Sequence, residues 1–206
     1  MSLEELLKDL NSRLIASGLT GFWDNDTKKR WLNLAIQRIC SFEKWEFTEE
    51  HAYRSTVKDQ EKYSMPSDCP PQGINYLKVD DKEYKYVDLV TFLRCRDNKE
   101  DVKIFTDKDG ELLIYPTIPE DGKKIELWYQ RIPPALVNDS DTPITPPNLD
   151  EAIVRIALAS ALRKSGKGDE ANMEIAEATT IMQQVLDRTQ DGKLGYEGKA
   201  INSRWL

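Results

Sequence analysis

The chain has 206 residues, with 29 Lys and Arg against 36 Asp and Glu, a formal net charge of -7. A chain of this length buries roughly 70–75% of the surface its unfolded form exposes, so it needs neither disulfides nor metal to fold. The acidic balance argues against a protein whose main task is to neutralise phosphates, since nucleic-acid binders carry a basic excess. An apolar share of 39% beside 32% charged residues is modest, as expected for an elongated or assembling subunit.

No apolar run approaches the ~18 residues of a membrane span. The start, Met1-Ser2-Leu3-Glu4-Glu5, lacks the basic flank and apolar stretch of a signal peptide, so export by that route is not expected. Cys40, Cys69 and Cys95 lie far apart and form no C-x-x-C pair; they read as reduced structural thiols. His51 is the single histidine, which removes His-pair metal sites. Beside Glu49 and Glu50 it reads as a surface or turn residue. Phosphate-cradling and nucleophile-elbow strings are missing, so no catalytic, cofactor or metal site is expected. Carboxylates are plentiful enough to keep a two-carboxylate hydrolase as the alternative.

The first helix is predicted over 3–16. Ser2 and Glu5 form a capping box, and Leu3, Leu6, Leu7, Leu10 and Leu14 make one stripe. A second helix, about 26–42, has the stripe Trp31, Leu34, Ala35, Ile39 and Phe42, widened by Leu32 and Ile36. From Trp45 the chain breaks into short segments. Asp80-Asp81-Lys82 and Asp107-Lys108-Asp109-Gly110 read as hairpin turns, the second flanked by strands at 102–105 and 112–115. Another strand spans 125–129, and a short helix fits 87–95. Pro133, Pro134, Pro143, Pro146 and Pro147 then stiffen an extended crossover.

Asn148 is the expected cap of a third helix, with Glu151 three residues on. From Ala152 to Leu162 only Arg155 and Ser160 are polar, so this helix should be buried on more than one side. A fourth helix follows Asp169 on the stripe Ala171, Ile175, Ala178, Met182 and Val185, and Gly192 and Gly195 are expected to end the regular structure. The expected fold is α+β: a four-helix bundle (1–44 and 148–189), an inserted antiparallel β subdomain with its Pro-rich crossover (45–147), and an extended tail (190–206).

Two features stand out as candidate surfaces. Ile153, Arg155, Ile156, Ala159 and Leu162 are the candidate subunit interface, Arg155 either bridging to a neighbour's carboxylate or reaching the bundle edge. Leu194, Tyr196, Ile201, Trp205 and Leu206 are the candidate anchors of the tail. A Trp in a fraying terminus is a liability unless it docks on a partner or folds back on its own bundle. Acidic groups slightly outnumber basic ones in each of 1–50, 51–147 and 148–206, so no basic patch emerges from the segment sums.

Several strings taken in order resemble the adaptor (head-to-tail connector) proteins of tailed bacteriophages. They are Tyr63-Ser64-Met65-Pro66-Ser67-Asp68; Leu113-Ile114-Tyr115-Pro116 with Pro119; and Ile125-Glu126-Leu127-Trp128-Tyr129, running on through Gln130-Arg131-Ile132-Pro133-Pro134-Ala135-Leu136. Pro143-Ile144 and the helix with Ala157, Ala159 and Ala161 continue the order. The resemblance implies a structural virion protein of the neck, assembled in the host cytoplasm. It implies a homo-oligomeric ring, commonly of twelve copies, joining the portal protein to tail or nozzle proteins, with double-stranded DNA passing through its lumen and no membrane partner. Under that reading the β subdomain meets tail proteins at the rim, by strand addition across subunits. The alternatives are a carboxylate-dependent hydrolase or accessory enzyme, and a non-viral scaffold module.

Overall fold

A computed structural model describes residues 1–19 and 21–202, with side chains as far as residue 189. The protein is α+β, with five α-helices and a curled seven-stranded sheet among the described residues. It divides into two compact units, Met1–Glu43 with Pro133–Leu206, and Lys44–Ile132.

In the helical unit, α1 (Leu3–Ala16) starts as its sequence dictates. The Glu5 amide donates to Ser2 Oγ at 3.3 Å, and the Ser2 amide donates to Glu5 Oε2 at 2.7 Å. Two more first-turn amides, of Leu3 and Glu4, donate to the carbonyls of Asp141 and Asp139 in the crossover. Donors that a helix start leaves unpaired are thereby satisfied from 138 and 135 residues away in sequence. The five leucines of the stripe are all buried.

Helix α2 (Asn25–Cys40) is capped by Asp24, whose Oδ1 accepts from the Thr27 amide at 2.7 Å. Its buried face is Trp31, Leu32, Ala35, Ile36 and Ile39. Leu34 and Phe42, expected on the stripe, are 43% and 41% exposed, so the face is centred on Leu32 and Ile36 instead. The crossover packs in this unit through Leu136, which is buried and whose amide and carbonyl both bond the Asn33 side chain.

Helix α4 (Asp150–Lys164) does not begin at an Asn148 cap. A 3-10 turn, Pro147–Leu149, runs directly into it, and its N-cap position, Leu149, makes no side-chain cap. Pro147 supplies the φ of a helical start and has no amide to satisfy, which makes a polar cap dispensable. Buried side chains ring α4 almost completely, from Ala152 to Leu162. Helices α1, α2 and α5 (Gly168–Asn202) each pack on it, so α4 is a hub rather than one corner of four equal ones.

Helix α5 (Gly168–Asn202) buries Ala171, Ala178 and Met182. It passes Gly192 and Gly195, where the regular structure is expected to end. A glycine in a helix costs about 1 kcal/mol relative to alanine, which penalises the helix there without forbidding it.

In the β unit, β1 (Glu49–Ser55), β2 (Lys62–Ser64), β3 (Ile74–Val79), β4 (Lys82–Tyr86), β5 (Ile104–Lys108), β6 (Glu111–Tyr115) and β7 (Lys124–Gln130) form one sheet in the order β1-β7-β3-β4-β5-β6-β2. Both expected hairpins are present. At the second, Asp109 and Gly110 have φ of 53° and 79°, the pair of positive values that a two-residue turn matched to strand twist requires.

The sheet is not purely antiparallel, contrary to expectation. β4 and β5 pair in parallel. The chain makes that return through α3 (Leu89–Asp97), because parallel neighbours need a crossover and cannot be joined by a tight turn. Tyr63, Leu77, Phe105, Ile114, Leu127 and Tyr129 are among the side chains that fill the inside of the curl.

Candidate functional site

The interface residues expected on α4 lie inside their own chain. Ile153, Ile156, Ala159 and Leu162 are at most 4% exposed, against α1, α2 and α5 of the same protein. Arg155 is half-buried and paired within the chain. Its Nε meets Glu151 Oε1 and its Nη1 meets Glu174 Oε2, each at 2.7 Å. Glu151 also takes Arg13 of α1 at 2.5 Å, and Arg13 reaches Asp9 at 3.1 Å. Five alternating charges thus tie α1, α4 and α5 together.

The Arg13 hydrogen bond, against some desolvation, holds the Glu151 carboxyl below its usual range, with Arg155 adding to the effect. Sequence spacing shows the Glu151–Arg155 pair at i,i+4. Nothing in the sequence points to Arg13, 138 residues away.

Of the tail anchors, Leu194, Tyr196 and Ile201 fall within α5, but their side chains lie outside the described residues, as do Trp205 and Leu206 altogether.

In the β unit, the string Tyr63-Ser64-Met65-Pro66-Ser67-Asp68 acquires a physical role. Tyr63 and Ser64 belong to β2, and Tyr63 is 2% exposed. Its hydroxyl lies 3.3 Å from both the amide and the carbonyl of Val57, just past β1. Asp68 Oδ1 accepts the Tyr129 hydroxyl at 2.9 Å, and the Asp68 carbonyl accepts the Ile132 amide at 2.7 Å. Burial, with the Asp68 hydrogen bond second, pushes the Tyr129 phenol well above its ordinary value. The Pro-Ser-Asp turn therefore pins its loop to the end of β7, which brings two strings of the resemblance together.

Burial, aided by Asp107 and Asp68, pushes the Cys69 thiol up to about 12, which keeps it protonated at neutral pH. His51 is exposed on β1, its ring 5.1 Å from Trp128 and 5.2 Å from Tyr53. Among the described residues, no group of three or more His, Cys, Asp or Glu side chains is placed to hold a metal ion.

The β unit also has an opening where the sheet order ends. β1 and β2 share no ladder, yet Arg54 Nη1 of β1 donates to the Ser64 carbonyl of β2 at 3.0 Å. Between them lies a cleft of about 290 Å³ with Ala52, Met65, Pro66, Leu112, Ile125 and Leu127 among its lining residues.

Residues 1–198 match the family model of the SU10 adaptor proteins, and the chain belongs to that family of phage head–tail adaptors. The family gives it a structural connector role between head and tail components, in the neck of the virion. The search of curated proteins returns no match.

Proposed function

We propose that the protein is a non-catalytic subunit of an oligomeric ring that joins the portal to the tail and continues the DNA channel. The observation that carries this reading is the family match across 1–198. The charge of -7 supports it, because a like-charged wall lets double-stranded DNA slide without adhering.

With Ile153, Ile156, Ala159 and Leu162 buried in the protomer, lateral contacts fall to side chains that remain exposed, such as Ile15, Phe22 and Met173. Arg155 and its network then set the shape of the protomer that packs. The tail at 190–206, with Leu194, Tyr196, Ile201, Trp205 and Leu206, is the proposed portal-docking element.

Native mass spectrometry of the chain mixed with its portal tests the reading. A closed ring seated on the portal, of about twelve copies as the family resemblance implies and of cyclic symmetry, is the expected species. A monomer that never joins the portal at any ratio overturns it.

A further inference from the structure

β1 and β2 end the sheet order and share no ladder, so each has an edge without a partner strand. In the β1–β7 ladder, Arg131 donates to the Thr48 carbonyl and Thr56 to that of Lys123, so the even-numbered residues of β1 face β7. The backbone groups of Glu49, His51, Tyr53 and Ser55 therefore turn to the open side. In β2, the bonds Ile114 to Glu61 and Met65 to Gly110 likewise leave Lys62 and Ser64 turned outward.

Some of these groups have local partners. The His51 amide is bonded by its neighbour Glu50, the Lys62 carbonyl by Gln60, and the Ser64 carbonyl by Arg54. The Glu49 amide is bonded to the Glu46 carbonyl, which leaves Tyr53 and Ser55, at the C-terminal end of β1, as the free part of the edge. β1 has 7 residues and no proline, a long edge by the standards of proteins that protect theirs.

Beneath the edge, the apolar cleft is of a size for alternate aliphatic side chains of an added strand. Arg54 stands at its mouth without an ion-pair partner among the described residues, its guanidinium donating to the uncharged Ser64 carbonyl. A carboxylate offers that guanidinium an opposite charge and two parallel N–H···O bonds, neither of which a single carbonyl supplies.

We infer that this seam binds an extended segment of a neighbouring protein by strand addition along β1, with apolar side chains at alternate positions and a carboxylate that pairs with Arg54. The inference concerns the single chain and does not depend on ring formation.

The test uses the full chain and a fluorescein-labelled peptide as long as the 7 residues of β1, alternating valine and threonine around a central glutamate. A second peptide carries lysine in place of the glutamate. Fluorescence anisotropy should show saturable binding of the glutamate peptide, about ten-fold tighter than the lysine peptide, the factor expected from one charge-assisted pair. Arg54→Gln should erase that preference. Tyr53→Pro, which deletes an outward amide but no ladder bond, should weaken both peptides. Should Tyr53→Pro fail to fold, hydrogen exchange on the unmodified protein decides: the Tyr53, Ser55 and Ser64 amides must slow when the glutamate peptide is added. No saturation up to about 1 mM, where even weak specific contacts register, equal affinity for the two peptides, or unchanged exchange at those amides overturns the proposal.

Discussion

Single side chains with distant partners carry much of the order. Tyr129 and Asp68 close the turn after β2 onto β7 through one hydroxyl–carboxylate bond in a buried setting. Tyr129→Phe should lower stability by about 1–2 kcal/mol, read as a shift in the urea midpoint, because a carboxylate loses its donor and gains nothing. Glu151 makes a second test, through pH. Its folded carboxyl titrates below the ordinary value of 4.5 because Arg13 and Arg155 favour the charged form. The stability it contributes is therefore complete above pH 4.5 and disappears as pH falls through the depressed folded value. Unfolding of Glu151→Gln should depend less on pH than the native chain over that window. An identical pH profile would show that the network contributes nothing.

At the scale of elements, legibility followed the length of the apolar period. The first helix could be read to the residue, because Ser2, Glu5 and five leucines at helical spacing state its start and its buried face. For α2 the element was legible but its face was not. The sequence pattern has more apolar positions than one face holds, and packing on α4 chose Leu32 and Ile36 over Leu34 and Phe42. The Asp109–Gly110 turn was legible because few residues accept two consecutive positive φ values. Gly110→Ala should cost about 1 kcal/mol from left-handed strain alone, since a Cβ there meets open space. A thermal melt of the variant checks this. The parallel β4–β5 pair was not legible. Strand propensity carries no sign of direction, and only the route through α3 decides it.

For the whole molecule, the proposed connector role turns on the last residues. Deleting 190–206 should leave the helical unit folded, since Ala171, Ala178 and Met182, which anchor α5 on α4, all precede the cut. The same deletion should abolish co-sedimentation with portal particles. A truncated chain that still co-sediments would move the docking function elsewhere. Taken alone, the sequence determined the α+β class, the bounds of α1, both hairpins and the family, because those rest on local periodicity, turn stereochemistry and the order of short strings. Tertiary structure alone decided that the apolar residues of α4 face inward to their own chain, that Arg155 is paired within it, and that β1 and β2 end the sheet side by side. A sequence states which side chains must leave water. It does not state which neighbour, in the same chain or the next, will cover them, since burial is set by apolar area and not by the identity of the covering surface.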